Sequence, residues 1–157
     1  MKRIIAYLLI FLGALIYVIA FDLRGLLPEW LVAVRLPFRC VLAGGFGGAV
    51  YCLRGVYLNA CVQKQWDGDW WPWYYLRPWV SLLCGGVSFV FLKAGLLLLE
   101  AATQHPDATQ LGYFALAFIA GLNVDKFIAK VEDIAQAAWG IEKSRVGREN
   151  SKEHKAG

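Results

Sequence analysis

The chain has 157 residues, of which 59% are apolar before its 16 glycines are counted and 18% are charged. Mean hydropathy is +0.48. A soluble domain is roughly 45–50% apolar with glycine included and about 25% charged, so this composition excludes an ordinary soluble enzyme, a disordered chain and a nucleic-acid module. The net charge of +4 is unevenly placed, with Lys2 and Arg3 before the first apolar run and Lys143, Arg145, Arg148, Lys152 and Lys155 in the last 15 residues. Such placement is a membrane-orientation signal. Glu142, Glu149 and Glu153 interrupt the basic tail, which therefore lacks the clustered basic face that nucleic acid requires.

The first apolar segment runs from Ile4 to Phe21 without a charge. It is long enough to cross a hydrocarbon core of about 30 Å. Val18 and Ala20 could also occupy the −3 and −1 positions of a signal-peptide cleavage site. The run exceeds the usual apolar region of about 7–15 residues in such peptides, which favours a retained helix. The following loop, Leu26 to Leu36, reads as a short interfacial helix with Pro28 in its first turn and Trp30 beside it. A second segment spans Phe38 to Val62, interrupted by Arg39 and Arg54, and a third spans Trp79 to Leu99, interrupted by Lys93. The fourth runs from Leu111 to about Ala129, with Asn123, Asp125 and Lys126 near its end. The helix is expected to continue to about Lys143. Val124, Val131 and Ala138 lie on a heptad-like spacing, as do Phe127, Ile134 and Ile141. This stretch is either an amphipathic helix packed on the protein or the bilayer, or a short bundle around an oligomer axis.

Lys and Arg in the connections set orientation. The second-to-third connection carries Lys64 and Arg77, and the third-to-fourth carries Glu100 and Asp107 with no Lys or Arg. This pattern predicts both termini and the Trp-rich connection in the cytoplasm. The first loop runs against it, with Arg24, Arg35 and Arg39 set against Asp22 and Glu29. The expected architecture is all-α: a four-helix integral membrane bundle over residues 1–130 and a cytoplasmic helix with a basic tail over 131–157.

Trp66, Trp70, Trp71, Trp73, Tyr74, Tyr75 and Trp79 crowd one connection. Indole and phenol rings settle at the headgroup level, so these read as an interfacial anchor, with a ligand-stacking platform as the rival. Asp67 and Asp69 flank a glycine there, too few oxygen ligands for calcium. Gly44 and Gly48 form a GxxxG pair with Gly55 on the same face, and Ser81/Gly85 and Ala117/Gly121 repeat the spacing. Small residues let helices approach closely in lipid, either within one bundle or between subunits.

A charge at a helix centre costs about 2.5–3.5 kcal/mol on insertion scales. At about 1.5 Å per residue, Arg54 lies about 6 Å and Asp125 about 8 Å from the middle of their segments, toward the same side. They are expected to pair. Lys93 shares a face with Glu100 and either snorkels outward or faces a hydrated cavity or pore. Cys40, Cys52, Cys61 and Cys84 form no metal-binding spacing, and neither Ser81 nor Ser88 has a histidine nearby in sequence. No catalytic, metal or cofactor site is expected.

Trp73-Tyr74-Tyr75-Leu76-Arg77-Pro78, and Gly121-Leu122-Asn123-Val124-Asp125-Lys126-Phe127 followed by Trp139-Gly140-Ile141-Glu142-Lys143-Ser144-Arg145, together resemble motifs of small bacterial multi-span membrane proteins. The resemblance covers residues 40–145. It implies a bacterial inner membrane and no particular activity. A looser architectural likeness is to small four-helix membrane subunits of phage-defence complexes such as Kiwa, which implies a homo-oligomer with a cytosolic protein partner. Trp139, rimmed by Glu142, Lys143 and Arg145, suits such a contact. The expected function is a non-enzymatic, oligomeric inner-membrane subunit that anchors or signals to a cytosolic partner, in a defence or stress complex. The alternative is a small oligomeric ion channel.

Overall fold

A computed structural model describes residues 2–62, 70–93, 95 and 106–140. Among these the chain is helical, with no strand. In chain order the helices are α1 (Lys2–Leu23), α2 (Glu29–Val32), α3 (Arg35–Tyr57, running into a π-helical turn at Leu58–Val62), α4 (Trp71–Lys93), α5 (Pro106–Leu122) and α6 (Val124–Trp139). Three stretches, Lys2–Leu23, Arg35–Val62 and Trp71–Lys93, are long and apolar enough to cross a membrane. The chain divides into a compact unit ending at Val124 and a second beginning at Asp125, whereas the sequence reading placed its boundary after residue 130.

α3 is the centre of the first unit, packed by α1, α4 and α5. Its glycines explain how one helix takes three neighbours. Successive residues turn about 100° around a helix of 3.6 residues per turn, so Gly44, Gly45, Gly47 and Gly48 point to different sides. A Cβ on Gly44 would lie 2.7 Å from the Gly85 Cα of α4, and one on Gly47 would lie 2.7 Å from the Leu122 nitrogen of α5. One on Gly45 would meet Leu82 of α4 and Leu15 of α1. Ser81 binds α4 to α5: its buried hydroxyl shares one proton between the Arg77 carbonyl (2.9 Å) and the Gly121 carbonyl (3.0 Å). Gly44, Gly48, Ser81, Gly85 and Gly121 thus meet one another inside a single chain, and Ala117 is fully buried there. Gly55 instead faces the Tyr74 hydroxyl.

α1 touches its neighbours along a narrow stripe, with Ile4, Leu8, Leu15 and Asp22 buried. The rest of the helix is apolar and open, as at Ile10 (72% exposed) and Tyr17 (69%). An apolar, uncovered helix of this length suits lipid rather than water.

Three boundaries differ from the sequence reading. α4 starts at Trp71 rather than Trp79, because Pro78 is held inside the helix instead of ending it. Proline removes one backbone hydrogen bond, a loss that neighbouring helices in membrane proteins repair. The bond that Pro78 cannot make is the one to the Tyr74 carbonyl; at the next carbonyl the Tyr7 hydroxyl donates to Tyr75 O and accepts from Trp79 Nε1, tying this turn of α4 to α1. Second, α4 stops at Lys93. Third, the fourth segment does not run through to Ala129. α5 stops at Leu122, Asn123 closes its last turn onto the Ile119 carbonyl (2.9 Å), and α6 starts afresh. Asparagine competes with the helix for backbone hydrogen bonds. Because Leu122 abuts Gly47, α5 ends beside the midpoint of α3, about 15 Å short of the Tyr57 level at 1.5 Å per residue.

Candidate functional site

The charges concentrate where α1 hands over to α3. Gly25, with φ of 70°, lets the chain leave α1 through a left-handed turn. Leu26 N donates to the Phe21 carbonyl and Gly25 N to the Asp22 carbonyl, the pairing of a Schellman cap. α2 then carries the chain across, with Pro28 at its start and Trp30 exposed. Arg35 and Arg39, one helical turn apart on α3, come back onto Asp22. Arg35 Nε donates to Asp22 Oδ1 (2.7 Å) and its Nη2 to the Asp22 carbonyl (2.8 Å), while Arg39 Nε donates to Asp22 Oδ2 (2.5 Å). Asp22 is 2% exposed, against 40% and 28% for the two arginine side chains.

Each charge sits at the wrong end of its own helix. A carboxylate disfavours a helix C-terminus and a guanidinium an N-terminus, by about 0.3–1 kcal/mol each. Side by side, the two ends compensate one another. Two cations on one carboxylate leave a formal excess of one positive charge.

Next to Asp22 and Arg39 an apolar groove of about 680 Å³ opens between α1, α3 and α5. Ile19, Ala43, Phe46, Leu111, Phe114 and Phe118 form its walls. Its charged end lies on one side and its phenylalanines run toward the middle of α3.

At the opposite end of the unit lies a second buried charge, a cation. The sequence reading counted Arg77 as a connection residue. The structure corrects this: Arg77 is 5% exposed within α4. Its guanidinium carbon lies 4.8 Å from the Tyr51 ring centre and 5.2 Å from that of Trp73. The neighbouring core contains Ile4, Leu8, Cys52, Val56 and Tyr74. Tyr74 is therefore a core residue, 2% exposed, whose hydroxyl accepts from Asn59 Nδ2 (3.1 Å), and not an interfacial anchor. Trp70 and Trp79 are open, at 57% each, as is Trp71, and Trp73 and Tyr75 are half-buried. These residues lie in or next to the first turns of α4 rather than in an irregular connection.

Arg54 is exposed near the end of α3. The straight fourth span on which its pairing with Asp125 was reasoned is absent, because the helix breaks at Asn123 and Asp125 opens the second unit. Lys93 is the exposed last residue of α4, 5.7 Å from the Phe89 ring centre, and is not among the groove's walls. Trp139 ends α6 at 64% exposure, and Gly140, with φ of 68°, follows it. Trp66, Glu100, Glu142, Lys143 and Arg145 lie outside the described residues. Cys40, Cys52 and Cys84 are buried free thiols and Cys61 is an exposed one. Among the described residues no group of three His, Cys, Asp or Glu is placed to hold a metal.

The Asp22 cluster is what sequence reasoning missed. One signal could have found it: Asp22 follows Leu8 and Leu15 at intervals of seven, on the buried stripe of α1.

Among the described residues these features define an all-helical protein with three helices of membrane length. Comparison with family models, curated proteins and solved structures gave no match.

Proposed function

We propose that this chain is a non-enzymatic subunit of a bacterial inner membrane, built as a four-helix bundle and oligomeric, that anchors or signals to a cytosolic protein in a defence or stress complex. The observation that carries the reading is the separate unit after Val124, whose amphipathic helix α6 ends on an exposed Trp139. A large aromatic left open at the end of a charged helix suits a protein contact. Both termini are assigned to the cytoplasm. The assignment rests on Lys and Arg at the termini and in the second-to-third connection, against none in the third-to-fourth. The interhelical glycines are used within the chain, so the oligomer would form on other faces, such as the open side of α1.

The test is purification of the full chain from native membranes, wild type beside Trp139→Glu. A soluble protein present in stoichiometric amount with wild type, and lost from an equally stable Trp139→Glu, is the expected result. An identical set of co-purifying proteins in both would defeat the partner-contact reading. A second reading, a small oligomeric channel, is favoured by α5, which ends beside the midpoint of α3. Discontinuous helices are common where transported solutes cross. Ion flux in vesicles that changes with Arg54→Glu or Lys93→Glu would move the weight there.

A further inference from the structure

We propose that the groove between α1, α3 and α5 is a binding site for one anionic phospholipid, with an acyl chain along the groove and the headgroup phosphate on Arg39 and Arg35. The inference rests on the reading of the chain as membrane-embedded.

Three features of the groove match a lipid. Its volume of about 680 Å³ lies within the roughly 300–1,000 Å³ typical of small-molecule sites. Its walls are apolar from Leu111 to Phe118, which spans about 10 Å at 1.5 Å per residue, within the ~15 Å of one leaflet of a ~30 Å hydrocarbon core. Its polarity runs the right way. The charged mouth lies at the α1–α3 turn, where the membrane-length helices end, and the phenylalanines lie toward mid-helix. A phospholipid has that same order, head outward and tail inward.

Charge selects the headgroup. The cluster carries one positive charge in excess. Arg39 hydrogen-bonds only through Nε among the described residues, which leaves its two terminal nitrogens for an acceptor. Arg35 is committed twice to Asp22 but keeps a 40% exposed side chain. Guanidinium forks suit phosphate oxygens. Asp22 then has a positioning role: it holds the Arg39 guanidinium at the groove mouth and Arg35 beside it, and its own carboxylate oxygens are taken up by their Nε groups. A zwitterionic headgroup also offers a phosphate, but its ammonium would meet the same positive cluster. The site therefore prefers an anionic lipid.

The test uses the full chain, delipidated in mild detergent, with native mass spectrometry after addition of phosphatidylglycerol or phosphatidylcholine. The expected result is one retained phosphatidylglycerol per chain, bound about tenfold more tightly than phosphatidylcholine. Arg39→Gln leaves Arg35 on Asp22 and should bring the two lipids within about twofold. Ala115→Trp, at an open groove position on α5, should abolish binding of both. Equal binding of the two lipids by wild type would overturn the proposal, as would phosphatidylglycerol bound unchanged in Ala115→Trp. Displacement of the lipid by water-soluble glycerol phosphate would make the site one for a free phosphate ester and would also overturn it. A lipid-free oligomer that dissociates in Ala115→Trp would identify a second copy of the chain as the occupant instead. Failure of the membrane reading is separately visible, because the wild-type chain would then leave membranes in alkaline carbonate.

Discussion

Gly121→Ala puts a methyl group where α5 touches α3. A Cβ at that position would fall on the Gly44 carbonyl and 2.7 Å from the Gly44 Cα. Carbon atoms pack at about 3.5–4.0 Å, so the two backbones must part by about 1 Å. Neither is a side-chain tip that can rotate away. Overpacking of this kind costs about 1–3 kcal/mol. The shift also pulls the Gly121 carbonyl from the Ser81 hydroxyl, now at 3.0 Å, a bond worth about 1 kcal/mol. Alanine returns about 1 kcal/mol of helix propensity, leaving a net loss of about 2 kcal/mol. Gly13 is the control, because a Cβ there meets nothing within 4 Å. Gly13→Ala should stabilise by about 0.5–1 kcal/mol. In thermal unfolding of the micellar protein, at about 2–4 °C per kcal/mol for a chain this size, Gly121→Ala should melt about 4–8 °C below wild type and Gly13→Ala slightly above it. If the two variants shift together, in either direction, the glycine contacts are not what sets the helix spacing.

Asp22→Asn keeps the shape of the side chain but leaves Arg35 and Arg39 facing each other. With Asp22 buried and both arginines partly exposed, the loss should fall between the roughly 0.2–1 kcal/mol of exposed pairs and the 3–5 kcal/mol of buried ones, measured by the same melting assay. Arg77→Lys keeps the charge but loses the planar group between Tyr51 and Trp73, and should cost about 1–2 kcal/mol; a melting temperature equal to wild type would mean that the rings do not hold it. For Arg54 and Asp125, the double swap Arg54→Asp with Asp125→Arg should recover stability lost in each single change if the two pair. No recovery in a double-mutant cycle rejects that pair.

What was legible in the sequence was whatever apolar length and small-residue spacing control. The spans Ile4–Phe21 and Phe38–Val62 became α1 and α3, and the four-residue spacings at Gly44, Ser81 and Ala117 became helix contacts. The misreadings have physical causes. Pro78 reads as a helix end because proline usually is one, yet the Tyr7 and Trp79 side chains support the backbone around it. That misplaced start cast Arg77 as a loop cation, although Arg77, Ser81, Gly85 and Ser88 follow one another on the buried side of α4. The Asp22 cluster was hidden because its partners lie 13 and 17 residues away across a turn, a separation that no single-helix pattern covers. Gly47 has no glycine four residues away, yet it lies against the Leu122 backbone at the end of α5.

The two ends of the first unit handle buried charge by different means, and the difference bears on function. Arg77 is enclosed by aromatic faces within the core, where its guanidinium has little access to anything outside the protein. Such a residue fixes the packing of α3 against α4. Arg35 and Arg39 are held by a carboxylate yet remain partly open, and Arg39 borders a groove. An anion arriving there meets cations already oriented by Asp22 and pays little to order them, which is the condition for selective binding. Selectivity for an external ligand is therefore expected at the α1–α3 turn and not at Arg77. The separate helix after Asn123 ends on an exposed Trp139, the residue on which the proposed partner contact is tested.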